Sequence, residues 1–265
     1  MTSICVMPAR GGSKRIPRKN IRPFAGVPIL RRTIGVVLES GVVDRVVVST
    51  DDEEIAEVAR TAGAEVPFRR GPELAGDHVP TIPVVADALT RLSEPGADPD
   101  GTTWVVYPTA VLLEPADLVR ARGAFVASGA TAAMSVVESP GPIERAWRRS
   151  DDGRGRMNSP EHVDTRSQDL PAAFFDAGQF YVAHNEFWLG GTTLAEVDPL
   201  LVRLPRERAV DIDTLEDWAF AESMFAVRSA HTEVARLESL WSGEFGDRYI
   251  ERNRAAGNPR GPFWN

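Results

Sequence analysis

Short apolar runs alternate with amphipathic helical stretches through the first half of this chain, and few folds accommodate that rhythm. Ile4-Cys5-Val6-Met7, Arg45-Val46-Val47-Val48-Ser49, Trp104-Val105-Val106-Tyr107 and the run from Ala132 to Val137 read as buried strands. Helical periodicity separates them, from Ile29 to Ser40 with a stop at Gly41, from Glu53 to Thr61 with an end at Gly63, from Thr81 to Leu92, and from about Pro115 to Ala127. Glu65-Val66 reads as one further short strand. The alternation predicts an α/β fold, a mainly parallel, doubly wound sheet whose ligands gather at the carboxyl ends of its strands.

The second half departs from the pattern. Residues 93–101, rich in Pro, Gly and Asp, read as a surface connection, and Ser139 to Pro171 as a polar excursion protruding from the sheet rather than another β-α unit. Phe174 to Ala183 then reads as a strand or hairpin, Leu200 to Leu204 as a strand, and a long helix begins near Thr214. Residues 1–225 are expected to form the α/β domain and 226–265 a C-terminal extension.

Both lysines of the chain, Lys14 and Lys19, fall in one loop directly after the first strand, and every other basic side chain apart from histidine is an arginine. The loop runs Arg10-Gly11-Gly12-Ser13-Lys14-Arg15-Ile16-Pro17-Arg18-Lys19-Asn20. Eight basic residues and no acidic one precede Glu39, although the formal net charge of the whole chain is −8. A Gly-rich turn at a strand end can offer backbone N–H groups to phosphate oxygens while basic side chains neutralise them. The loop matches neither the Walker A nor the Gly-x-Gly-x-x-Gly spacing, which disfavours a P-loop kinase or an NAD-dependent enzyme.

Nearly two hundred residues later comes Asp211-Ile212-Asp213-Thr214. In extended backbone, residues i and i+2 face one side, so the two carboxylates can converge on one point. Beside a polyphosphate they would make a Mg²⁺ site; by themselves they could equally serve the N-terminus of the following helix. Thr214 reads as the helix N-cap with Asp217 at its third position. Asp51-Asp52 reads more readily as a helix cap than as a ligand pair. Arg166 could grip a carboxylate bidentately or form a surface ion pair. The four histidines show no metal-ligand spacing.

Composition excludes several classes. With an acidic overall balance and no basic face extending beyond the loop, a general nucleic-acid binder is disfavoured. One cysteine, Cys5, excludes an intrachain disulfide. No apolar run approaches ~18 residues, and the N-terminus lacks a signal-peptide pattern, so no membrane partner and a soluble, cytoplasmic protein are expected.

Taken together, these segments resemble the CMP-nonulosonate synthetases (the acylneuraminate cytidylyltransferases). The resemblance rests on the run from Ile4 to Asn20, Val48-Ser49-Thr50-Asp51-Asp52-Glu53-Glu54-Ile55-Ala56, Gly63-Ala64-Glu65-Val66-Pro67-Phe68, Arg166-Ser167-Gln168-Asp169-Leu170, Asp176-Ala177-Gly178-Gln179-Phe180-Tyr181 and Asp211-Ile212-Asp213-Thr214. It covers about Ile4 to Met224. It implies a Rossmann-like fold and a Mg²⁺-dependent transfer of CMP from CTP to a nine-carbon α-keto acid sugar, with release of pyrophosphate. Arg10, Gly11, Gly12, Ser13 and Lys14 would hold the triphosphate, supported by Lys19. Asn20, Arg70 and Thr81 would contact the cytidine, and Asp211 and Asp213 would hold the metal. Tyr107, Arg166, Gln168, Gln179 and Tyr181 would line the sugar pocket.

Tyr107 stands where sialic acid enzymes usually carry a glutamine before Pro-Thr, which favours a pseudaminate-like sugar over sialic, legionaminic or ketodeoxyoctonic acid. A non-catalytic scaffold that keeps the nucleotide loop is the alternative of a different class, and the intact Arg10, Lys14, Asp211 and Asp213 argue against it. The excursion resembles the segment through which the family often dimerises, so a homodimer is expected. The stretch from Leu240 to Arg254, with Arg260 to Asn265, resembles the opening of a pseudaminate-associated methyltransferase, and implies that these residues are the front of a fusion.

Overall fold

A computed structural model describes residues 2–92, 101–241 and 248. The expected surface connection at 93–100 and the methyltransferase-like tail after Trp241 lie outside the described residues, Arg248 apart. The chain divides into two compact units, residues 1–221 and 222–265, and the sheet and the candidate site belong to the first.

Six strands form the central sheet: β1 Ser3–Pro8, β2 Arg45–Ser49, β3 Thr102–Val106, β4 Ala132–Glu138, β5 Phe174–His184 and β6 Leu200–Arg203. Their order across the sheet is β6-β4-β5-β3-β1-β2. β1 pairs in parallel with both β2 and β3, and β6 in parallel with β4. β5 lies between β3 and β4 and runs antiparallel to each. No helical crossover precedes β5, since the chain reaches it from the excursion, so nothing returns it to the end of the sheet where a parallel strand would begin.

Alternation along the strands decides which helix packs where. Cys5 and Met7 point to one face, joined there by Val46, Val48, Trp104, Val106, Phe180 and Val182. Helices α1 (Ile29–Ser40), α2 (Glu53–Thr61) and α4 (Pro115–Ser128) cover that face through Leu30, Ile34, Ile55, Ala59, Leu118 and Phe125. Val6 and Val105 point to the opposite face, which α3 (Thr81–Leu92) and α5 (Asn185–Leu189) cover through Val85, Leu89, Phe187 and Trp188. The sheet is therefore wound on both sides, and strand order turns about β1, opening a crevice at its carboxyl end.

The expected short strand at Glu65-Val66 is a single bridge to Val47. The Glu65 amide donates to Val46 O at 2.8 Å and the Val48 amide to Glu65 O at 2.9 Å. Pro67 carries no N–H for the next rung, which stops the ladder there. The excursion holds a small hairpin, Trp147–Arg149 against Gly155–Met157, with isolated helical turns around it. A last helix, α6, runs over Leu215–Trp241. Among the described residues no helix is long and apolar enough to cross a membrane.

Phe180 is fully buried, with its ring centroid 5.9 Å from that of Trp104. Phe180→Ala should cost about 3–5 kcal/mol of unfolding free energy, read as a lower urea midpoint at unchanged slope; a loss below about 1 kcal/mol would mean this part of the core can collapse into the space.

Candidate active site

The loop after β1 is held by carboxylates of the turn after β2. The Gly11 amide donates to Asp51 Oδ1 at 2.8 Å, and a Cβ added at Gly11 would stand 2.8 Å from Asp52 Oδ2, closer than real Cβ atoms come. Only glycine fits. Asp52 also caps α2, accepting the Ile55 amide at 3.0 Å. Arg18, in a left-handed conformation at φ 57°, sets its guanidinium between Asp52 and Glu54 and holds the Asp52 carboxyl below the usual range. Arg18 O then accepts the amides of Ile21 and Arg22 at 3.0 Å, turning Lys19 and Asn20 inward. Ile16 is buried in mid-loop, and Asn20 closes it by donating from Nδ2 to Arg10 O at 2.9 Å.

This arrangement corrects one expectation. The Gly11 N–H, expected to face phosphate, is engaged by Asp51, because the loop packs against the start of α2. Beyond Gly11, most of the expected ligands are side chains.

Those side chains line one cleft. Arg10, Ser13, Lys14, Lys19, Asn20, Arg70, Thr81 and Tyr107 all border it. Arg70 is almost wholly buried, donating from Nε to Ser49 Oγ at 3.1 Å and from Nη2 to Ser49 O. Burial pushes its pKa down, and no carboxylate lies within ion-pairing distance of it among the described residues. A buried cation hydrogen-bonded to neutral oxygens, with Asp51 and Asp87 acting on it only from a distance, suits a ligand that brings an acceptor. Asp77 borders the same cleft and contacts both Arg10 and Lys14.

The second carboxylate group is positioned by three clasps on the strand-to-helix connection before α6. Arg208 reaches Glu114 and the buried Asp117, the latter at 2.8 Å. Gln179 donates from Nε2 to Ala177 O at 2.8 Å and Val210 O at 3.3 Å. Lys19 Nζ donates to Ile212 O at 2.7 Å. Ile212 is buried, so Asp211 and Asp213 flank it on the open side. Thr214 and Asp217 close the segment as the expected capping box, with the Thr214 amide 2.8 Å from Asp217 Oδ2 and the Asp217 amide 3.2 Å from Thr214 Oγ1.

The basic loop and the acidic pair meet. Arg15 lies 2.8 Å from Asp213 Oδ2 and Lys19 3.4 Å from its Oδ1. Desolvation, and then the Asp213 carboxylate, raise the Asp211 carboxyl above its ordinary value. The donor set is oxygen only, and the mutual repulsion is what a hard divalent cation would relieve, so the residues fit Mg²⁺ shared with phosphate oxygens. Among the described residues no group of three or more His, Cys, Asp or Glu assembles as a metal cage.

Beside the pair, a bulge in β5 brings the tyrosines together. The β4–β5 register shifts between Met134 and Val136, and Ser135 Oγ accepts the amides of Gln179 and Phe180 at 3.3 and 3.0 Å. Gly178, at φ 59°, lets the backbone pass beside Asp211, whose Cγ would lie 3.7 Å from an added Cβ. Tyr181 donates its hydroxyl to Asp176 Oδ2 at 2.6 Å and stacks edge-to-face on Tyr107 with centroids 5.9 Å apart. Tyr107 in turn shares a hydrogen bond with the Thr81 hydroxyl. Burial pushes both phenols up, so both stay protonated.

The remaining expected residues are placed differently. Gln179 has no exposed surface and acts on the backbone that leads into Asp211 and Asp213, and its Oε1 has no protein partner. Arg166 and Gln168 sit exposed on the excursion and, like Asp211, Asp213, Gln179 and Tyr181, lie outside the set of residues that border the cleft. Arg15, Asp51, Asp77 and Asp176 were not picked out from the sequence as site residues. Asp51 carried a signal through its place at the end of a strand, whereas Asp77 lies in an irregular Gly- and Pro-containing stretch without periodicity.

Comparison with known proteins gives the following. The family model described as cytidylyltransferase matches residues 4–94. The pseudaminic acid cytidylyltransferase of Campylobacter jejuni (serotype O:2) is 38% identical over 227 residues, 86% of this chain and 97% of that protein. The CMP-N,N'-diacetyllegionaminic acid synthase of Legionella pneumophila is 32% identical over 229 residues, covering 84% and 96% respectively. A solved CMP:2-keto-3-deoxy-manno-octonic acid synthetase complexed with CTP shares the fold, with a TM-score of 0.62 at 15% identity over 86% of this chain and 100% of that one.

Because the Asp211 carboxyl is raised, the folded chain holds that proton more tightly than the unfolded chain, and stability is lost as pH climbs through the raised value. Asp211→Asn should therefore raise Tm of the metal-free protein near neutral pH, with the gain fading as pH falls through the raised value and absent below about 4. Thermal melts of variant and parent across that range measure it; a difference independent of pH would show that the carboxylates do not repel.

Proposed function

The chain belongs to the cytidylyltransferase family, and we propose that it activates pseudaminic acid with CTP, giving CMP-pseudaminate and pyrophosphate in a Mg²⁺-dependent reaction. The observation that carries this reading is the junction of the basic loop with the acidic pair, through Lys19 on Ile212 O and Arg15 on Asp213. Two relatives named for pseudaminic acid, and Tyr107 at the usual glutamine position, favour that sugar.

In this reading the anomeric hydroxyl of the sugar attacks the α-phosphorus in line as pyrophosphate departs. Arg10 and Lys14 hold the triphosphate and stabilise charge that grows on the leaving oxygens. Arg70, Asn20 and Thr81 receive the cytidine at the far end of the cleft. Asp211 and Asp213 would hold Mg²⁺, which supplies charge neutralisation on the phosphoryl oxygens when bound. Lys19 keeps the two halves of the site in register. Tyr107 and Tyr181 offer neutral phenol faces and hydroxyls on the sugar side, and the reaction needs no covalent enzyme intermediate. The reading extends to a cytoplasmic homodimer joined through the excursion, whose Ile143, Trp147 and Val163 side chains are exposed.

The test is pyrophosphate release with CTP and Mg²⁺ against a panel of pseudaminic, legionaminic, sialic and ketodeoxyoctonic acids, with the other nucleoside triphosphates as controls. Pseudaminic acid with CTP should turn over fastest. Faster release with legionaminic acid would reassign the sugar, and release with none of them would leave a nucleotide-binding scaffold. Arg10→Ala should lower turnover roughly 10²–10³-fold, the loss typical of one transition-state donor; near-normal turnover would remove Arg10 from the chemistry.

A further inference from the structure

Asp77 is an acidic residue placed at the centre of the cationic cradle. It lies between the helical turn Pro72–Leu74 and the start of α3, and borders the same cleft as Arg10 and Lys14. Its Oδ1 contacts the Arg10 guanidinium and its Oδ2 the Lys14 ammonium, so one carboxylate spans both. Lys14 first and Arg10 second hold its carboxyl down at about 2, so it carries its charge across the working range. The three side chains are 32%, 81% and 28% exposed for Arg10, Lys14 and Asp77, so water and salt screen the contacts.

Nothing in the reaction described above requires a carboxylate there. Two oxygens about a carbon, spread over two cations, present what two oxygens of a phosphate group would present. Exposed contacts of this kind are individually weak, so a ligand of higher charge can replace them.

We propose that Asp77 is an internal competitor for the polyphosphate, occupying Arg10 and Lys14 in the free protein and returning to them as pyrophosphate leaves. The proposal rests on the reading of Arg10 and Lys14 as triphosphate ligands. It carries a thermodynamic signature. A group that must be displaced lowers the affinity of every displacing ligand by one common factor, the fraction of molecules in which the cations are open. CTP, inorganic triphosphate and pyrophosphate all reach Arg10 and Lys14 and share that factor. Cytidine, which has no phosphate, does not. The functional consequence lies in release: a tethered carboxylate that competes for the same two cations shortens the residence of pyrophosphate, while CTP retains its contacts at the cytidine end.

The experiment is calorimetric titration of the parent, Asp77→Asn and Asp77→Ala with CTP, inorganic triphosphate, pyrophosphate and cytidine, at two salt concentrations. Both variants should bind all three polyphosphates more tightly by a similar factor of about five at low salt, since two exposed pairs are lost. Cytidine affinity should not change. Pyrophosphate should become a correspondingly stronger inhibitor of turnover. Polyphosphate affinities within twofold of the parent, or weaker, would overturn the proposal and make Asp77 a residue that orients Arg10 and Lys14 for the ligand. A gain for CTP with none for pyrophosphate would also overturn it, because displacement cannot distinguish the two. If neither parent nor variants bind CTP or pyrophosphate, the reading of the cleft itself fails, and that result is separable from the others because the parent alone shows it.

Discussion

Lys19 donates to the carbonyl of Ile212 at 2.7 Å across a sequence separation of 193 residues, and the site depends on that contact. It joins a loop whose charged side chains are all positive to a segment that presents two carboxylates. Apart, each would be costly to hold in shape: the loop by repulsion among its own cations, the pair by the desolvation and then the repulsion that raise Asp211. Together, Arg15 and Lys19 offset part of the negative charge on Asp213 while leaving Asp211 open. A metal-bridged polyphosphate has the charge distribution to complete such an arrangement, positive against the pair and negative against the loop.

The scaffold around the junction is stiff for local reasons. Asp51, Asp52 and Arg18 tie the loop to the N-terminus of α2, and the left-handed Arg18 is held there by its carboxylate partners. Such a backbone conformation in a non-glycine residue persists where surrounding contacts over-determine it. The β5 bulge does similar work on the other side. Ser135, Asp176 and Gln179 satisfy its backbone groups, Tyr107 N–H donates to Gln179 O at 3.1 Å, and Gln179 extends the clasp to Val210. The charged groups therefore sit on supports that do not have to reorganise when a ligand arrives, which is the condition for electrostatic stabilisation of a transition state.

Much of this was legible along the chain. The strand and helix segments followed from apolar periodicity, and Thr214 with Asp217 formed the capping box their spacing implied. Asp52 proved to be a cap, as its place before a helix suggested. The antiparallel course of β5 was not legible, because a strand's own residues do not record the direction of its neighbours. The burial of Gln179 was hidden for a related reason. Its polarity and its place beside Tyr181 suggested a ligand-facing side chain, whereas the bulge turns it toward backbone carbonyls that belong to a segment thirty-one residues away.

Local physics was settled by the order of the amino acids alone. Periodicity, capping residues, a glycine-bearing basic loop and a carboxylate pair at two-residue spacing are interactions of near neighbours, and near neighbours are what a sequence states. Tertiary structure decided which charges meet: that Arg15 and Lys19 reach Asp213, that Asp77 rather than Asp213 faces Lys14, and that Arg70 lies buried with its side-chain hydrogen bonds on Ser49. The physical reason is that electrostatic and steric complementarity depend on distance through space. Distance is fixed only when both faces of the sheet are covered and the carboxyl end of β1 is left as the place where those groups converge.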